Sequence, residues 1–526
     1  MAIASLSRSQ PASHLRVNII KHITQGRFSK PSINTTLLAR SFATDSPPTP
    51  PKRSLVRNIT LVLGAGILAK VLYDAGKRQA TIHIMDNTQP PSQSGGKPDI
   101  NFKLMNALTP EQVNFRLKEH EKSVKERIGT VWRYDINSVA SNYPIEDDHS
   151  QTVVSMPNGG QKLLLSVFDG HGGWNCSKWL SRRLGHEVGT ALVTAEQNAS
   201  NKNRVDVITE TIQQTFLKVD DEIVNKAAEH VLADKNMTPA DATATLLPAL
   251  SGSCAIMAYL DSETDDLFVA CTGDSRAVLG VKDGKWKAVA LSEDQTGRNE
   301  SEKKRMQAEH PGEEKTVISR GRVLGFLEPT RAFGDATYKW SLKVQEQLFD
   351  RFFPNRRSVP SAFSTPPYVT AKPVVTHHKI TDKVKFLVLA TDGLWDKLTN
   401  EQVVELIGGY LDGYRGNRVD STYGANQEET KTSTNSSPNT ATPHNPMVNE
   451  DRPPKYFAYV DNNAATHLIR NALGGADEER VAITLSIPSP MSRKFRDDIT
   501  VTVVFFGDIP TNGLARDPVL PLKAKI

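Results

Sequence analysis

The chain has 526 residues, room for about three units or for one large domain with appendages. Its 38% hydrophobic and 23% charged residues exclude a collagen, a coiled coil and a wholly disordered chain, and there is no run of about 20 apolar residues to support a polytopic membrane protein. The net charge is +5, but the six cations that precede the first acid, Asp45, outweigh that excess, so the remainder carries no basic field for nucleic acid.

Residues 1–44 read as a mitochondrial presequence. They are Ser-rich and acid-free, and they carry Arg8, Arg16, Lys21, Arg27, Lys30 and Arg40. Residues 45–107 read as a linker. It opens with Pro47-Pro-Thr-Pro-Pro51, which breaks any helix, and its apolar stretch at 59–73 is a candidate short membrane anchor if Lys70 snorkels. Three cysteines, Cys176, Cys254 and Cys271, form no C-x-x-C pair, so neither a disulfide framework nor a thiolate zinc site is expected.

From residue 108 the pattern is that of a folded body. Apolar, β-branched runs predict strands at Lys162–Phe168, Ser253–Leu260, Leu267–Ala270, Lys385–Ala390 and Ile499–Phe506. The second and third are expected to pair as a hairpin. Helical spacing appears at Trp174–Val188, Asp206–Val224 and Asn400–Ile407. Without regular β-α alternation, this predicts an α+β sandwich and not a doubly wound sheet. Residues 411–455, rich in Asn, Thr, Ser and Pro, read as a disordered insertion. A C-terminal tail covers 510–526 and ends in Ala524-Lys525-Ile526, which is similar to a small-basic-aliphatic peroxisomal terminus.

The strands share a design: acids cluster at their ends. Asp169-Gly170 follows the first, Asp274 the hairpin, and Asp392-Gly393 the fourth, with Asp396 close behind; Asp497-Asp498 precede the last, and Glu146-Asp147-Asp148 stand before the first. Any one Asp-Gly is ordinarily a turn and any one strand-end Asp a helix cap. Several such acids together suit an all-oxygen shell for hard divalent cations such as Mg²⁺ or Mn²⁺.

Val167-Phe-Asp-Gly-His-Gly-Gly173, Ser251-Gly-Ser253, Gly273-Asp-Ser-Arg276, Thr391-Asp-Gly-Leu-Trp-Asp396 and Arg496-Asp-Asp-Ile-Thr500 resemble, in order and spacing, the motifs of type 2C metal-dependent protein phosphatases. The stretches Leu108–Asn114, Pro144–Asp147, Gln295–Pro311 and Leu327–Trp340 are similar to the pyruvate dehydrogenase phosphatase branch.

The resemblance implies a phosphatase domain over 108–509, built as a β-sandwich of two antiparallel sheets with helices on both sides and a metal site at one end. It implies that Asp169 bridges two metals and that Asp392 and Asp497 complete one shell. The Gly170 carbonyl binds the other ion, and Glu146 and Asp147 act directly or through water. Asp274 and Asp396 hold a third, weaker ion, and His171 protonates the leaving seryl or threonyl oxygen. The implied substrate is a phosphoprotein, the alpha subunit of pyruvate dehydrogenase. The alternatives are another organellar phosphoprotein or a catalytically silent phosphoprotein-binding protein. Many relatives clamp substrate phosphate with an Arg four residues before the Glu. Here that position is Asn142, and Arg133 is a replacement only by nearness in sequence.

Overall fold

A computed structural model describes residues 107–508 except 157–159, 199–202, 354–361 and 422–453. The expected presequence, the candidate anchor and the C-terminal tail lie outside the described residues. Among those described, no helix is long and apolar enough to cross a membrane.

Sixteen strands are described. They are β1 (Lys122–Val124), β2 (Val131–Val139), β3 (Asp148–Ser155), β4 (Gln161–His171), β5 (Gly252–Asp261), β6 (Asp266–Thr272), β7 (Arg276–Asp283), β8 (Lys285–Ala290), β9 (Ile318–Ser319), β10 (Arg322–Val323), β11 (Phe333–Gly334), β12 (Val374–Lys379), β13 (Val384–Ala390), β14 (Gly416–Val419), β15 (Tyr456–Tyr459) and β16 (Ile499–Phe506). One sheet has the order β1-β2-β16-β13-β7-β8. The other runs β12-β6-β5-β4-β3, with β11 also paired to β5. Every pairing in both sheets is antiparallel.

The side-chain period of two sorts each strand between two cores. Leu163, Leu165 and Val167 of β4 face Leu387 and Leu389 of β13 and Val504 and Phe506 of β16 inside the sandwich. On the outer face of the first sheet, Phe386, Val388, Val501 and Val503 pack beneath the helices Asn400–Leu411 and Ala464–Leu473. Leu164, Phe168, Met257 and Tyr259 pack beneath the helices Asn175–Asn198 and Arg204–Asp221 on the other side. Central strands buried on both faces explain why β13 and β16 read as unbroken apolar runs. The α-β-β-α sandwich matches the expected fold class.

Three expectations need correction. β4 does not stop at Phe168; it continues through Asp169 and Gly170 to His171, because β5 offers partners as far as Gly252. The helix expected over Asp206–Val224 ends as Arg204–Asp221 and passes through a π turn, Glu222–Lys226, into Ala227–Ala233. The insertion expected at 411–455 is too wide at its front. Leu411 closes a helix, and β14 pairs with β15 from Gly416↔Tyr459 to Val419↔Tyr456, so ladder hydrogen bonds order a polar sequence that composition alone reads as loose.

Candidate metal centre

At the end of the sandwich where β4 and β13 finish, Asp169, Asp274 and Asp392 come together. One carboxylate oxygen from each lies within 4.8 Å of the others. Asp169 is carried by β4, Asp274 by the turn between β6 and β7, and Asp392 by the first position of the short helix Asp392–Trp395 that follows β13. Each is set by a rigid element, which is what a fixed coordination geometry requires. The backbone N–H of Asp392 donates to Asp169 Oδ2 at 3.4 Å, while Asp392 Oδ1 is buried and has no hydrogen-bond partner among the described residues.

Two glycines are needed for close approach. A Cβ on Gly170 would lie 2.1 Å from the Glu146 carbonyl oxygen, and one on Gly393 would lie 2.0 Å from that of Asp498. The Glu146 loop and the Asp497-Asp498 segment can therefore press against the strand ends only where side chains are missing. The loop is held by Asp498, whose carboxylate accepts the N–H groups of Ser141 (2.5 Å), Asn142 (2.9 Å) and Glu146 (2.8 Å). Thr391 ties Asp147 in place, donating to its Oδ2 at 3.0 Å and accepting from the Thr500 N–H at 3.0 Å.

The electrostatics are those of crowded anions. Burial, then the charges of Asp392, Asp147, Asp274 and Asp497, push Asp169 well above the usual carboxylate range. Burial and Asp274, Asp497, Asp396 and Asp147 do the same to Asp392. Asp147 is buried and raised by burial and Asp498, and Asp274 is pushed up to about 6, chiefly by burial. Like charges held this close call for a cation. The orphaned Asp392 oxygen and the wholly oxygen donor set fit hard divalent ions.

The remaining expected residues divide. Asp497 is outside the tight triad but raises Asp169, Asp392 and Asp147 electrostatically; its own carboxyl hydrogen-bonds Arg493. Glu146 is partly buried, with Oε2 accepting from Asn142 Nδ2 at 2.8 Å. Asp396 is exposed at the rim, beyond Asp392. Asp274 stands with Asp169 and Asp392, and both it and Asp396 act on the Asp392 charge. Arg133 is excluded as a phosphate ligand: it is buried in a two-pronged pair with Asp135, opposite Phe505 and far along β2 from the metal end.

His171 Nε2 meets Asp335 Oδ2 at 2.7 Å. Burial works to lower the imidazole pKa, but the Asp335 charge and hydrogen bond prevail and raise it. Asp335 holds a left-handed backbone, φ 47°, at the end of β11, and a Cβ on Gly252 would strike both partners, at 2.1 and 2.3 Å. Sequence reasoning missed Asp335. Its only signal is its place in Arg331-Ala-Phe-Gly-Asp335, and 164 residues separate it from His171.

A protein phosphatase 2C family model matches residues 144–418. A protein phosphatase 2C homolog of Schizosaccharomyces pombe is 38% identical, over 81% of this chain and 88% of that protein. The mitochondrial pyruvate dehydrogenase (acetyl-transferring) phosphatase 1 of Saccharomyces cerevisiae is 37% identical, over 77% of this chain and 74% of its own length. The protein of the same name from Homo sapiens is 34% identical, over 76% and 83%. With carboxylates gathered for metal at the end of an α-β-β-α sandwich, this chain belongs to the protein phosphatase 2C family and is a metal-dependent protein serine/threonine phosphatase.

Proposed function

We propose that the chain works in mitochondria on the phosphorylated alpha subunit of pyruvate dehydrogenase, with two Mg²⁺ or Mn²⁺ ions and a third, weaker one. The acid-free leader and the mitochondrial relatives support the location, and the names of those relatives support the substrate. The reading rests above all on the convergence of Asp169, Asp274 and Asp392 within 4.8 Å.

In this reading Asp169, Asp392, Asp497 and the Gly170 carbonyl would hold the two ions. Glu146 and Asp147 act directly or through water, and Asp274 and Asp396 serve the weaker ion. When bound, the ions supply positive charge for the phosphoryl oxygens and make water acidic enough to attack phosphorus near neutral pH. The chain's own part is to aim the carboxylates, keep them dehydrated and deliver a proton. His171, oriented by Asp335, whose charge and hydrogen bond raise its pKa, would give that proton to the departing seryl or threonyl oxygen. The phosphatase domain in this reading runs from 108 to 509, with the insertion beginning beyond β14.

The test is loss of phosphate from phosphorylated pyruvate dehydrogenase, followed by mass spectrometry, using purified full-length protein with and without Mn²⁺ or Mg²⁺. Metal-dependent loss is expected. Hydrolysis of a small aryl phosphate with pyruvate dehydrogenase untouched would move the substrate to another organellar phosphoprotein. No hydrolysis of either would leave a silent phosphoprotein-binding protein.

A further inference from the structure

Asn142 brings no positive charge to position 142; its Nδ2 donates to Glu146 Oε2 and its backbone N–H to Asp498 Oδ1. A second side chain reaches the same Glu146 oxygen from a distant part of the sequence. Arg493 lies in the 3-10 turn Met491–Lys494, and its Nη1 stands 4.0 Å from Glu146 Oε2 while hydrogen-bonding Asp497 Oδ1. The turn is fastened to the Asn142 loop itself, because Ser492 Oγ donates to the Ser141 carbonyl at 2.5 Å. The Arg493 side chain is 39% exposed, and its contacts with Asp497 and Glu146 are both made through Nη1, so its Nε and Nη2 donors make no hydrogen bond to another described residue.

We propose that Arg493 is the cation that binds the substrate phosphoryl group in this chain, in place of the arginine missing at 142. A planar guanidinium with several donors matches phosphate oxygens in a two-pronged manner. Its tether to Asp497 and Glu146 holds the fork beside the carboxylate triad before substrate arrives, which lowers the entropic cost of capture. The rival role is neutralisation of Asp497 alone. The inference rests on the proposed phosphatase reading but is tested apart from turnover.

The experiment titrates inorganic phosphate calorimetrically into full-length protein saturated with Mn²⁺. Arg493→Ala is expected to weaken phosphate about ten- to hundredfold, the usual range for a charged hydrogen-bonding partner. Arg493→Lys should fall between, and Asn142→Arg placed on Arg493→Ala should recover part of the loss. On an aryl phosphate, KM should rise more than kcat falls. If Arg493→Ala melts early, Arg493→Gln is read in the same titration. Equal phosphate affinity in wild type and variants, or a change confined to Mn²⁺ affinity, overturns the proposal. Failure of the wild type to dephosphorylate pyruvate dehydrogenase would reject that substrate and leave this titration readable.

Discussion

Glu302 and Asp169 are both enclosed acids of one domain, and they are treated in opposite ways. Glu302, on the helix Glu300–Glu309, receives Arg331 through Nε and Nη2, Arg305 through Nη2 at 2.7 Å and Thr330 Oγ1 at 2.6 Å. Burial pushes its pKa up, yet these partners bring it down to about 2. Asp169 has other carboxylates for company and is driven the other way. The difference shows how an acidic cluster should be interpreted. An acid whose lone pairs are filled by guanidinium is part of the architecture, whereas one surrounded by acids, with an orphaned oxygen nearby, is waiting for a cation that the chain does not supply.

The sharpest way to break this contrast is substitution at each pole. Asp169→Asn should cut Mn²⁺-dependent hydrolysis of an aryl phosphate by about a thousandfold or more, while raising the melting temperature of the chelated protein by relieving repulsion. Retained turnover, or a lower melting point, would remove Asp169 from the cation site. Glu302→Ala should instead leave Arg331 uncompensated and destabilise the protein by about 3–5 kcal/mol in urea unfolding. A loss near zero would mean that the pair is solvent-screened.

Acid titration of metal-free protein separates the two poles by sign. Asp274 has an ordinary value of 3.8 and a folded value of about 6. It therefore contributes stability that is full below pH 3.8 and lost as pH rises through 6. Glu302 has an ordinary value of 4.5 and a folded value of about 2, so its contribution is present above 4.5 and lost as pH falls through 2. Relative to Asp274→Asn, wild type should gain on the order of 3 kcal/mol between pH 7 and 4. Relative to Glu302→Gln it should lose stability only below about pH 4.5. Parallel profiles would erase the distinction. The smallest effect expected is stabilisation by the ion itself: about 2.7 kcal/mol at a hundred times its dissociation constant, absent in Asp169→Asn.

Much of this was legible in the sequence because the signals are local. Ile499–Phe506 is a strand with the bounds its apolar run predicts, and the acids at 169, 274 and 392 announce themselves by following apolar runs. Glu302 and Arg305 give no such notice. On a helix of Glu, Lys and Gln they read as a solvated face, and the partner that makes Glu302 structural, Arg331, is 29 residues away. Arg133 misleads in the opposite sense: it is near the Glu146 loop in sequence, but β2 carries it away, because each strand residue advances about 3.3 Å.

The amino-acid order alone marked five apolar strands, the carboxylates at their ends and the kind of ion such oxygens prefer, since these follow from side-chain periodicity and donor chemistry. Which acids meet, which are neutralised by arginine, and that Asp335 and Arg493 belong beside His171 and Glu146 were decided only by the tertiary structure. Burial and Coulomb energies depend on distances between residues hundreds of positions apart, and only the closing of one sheet over the other fixes those distances.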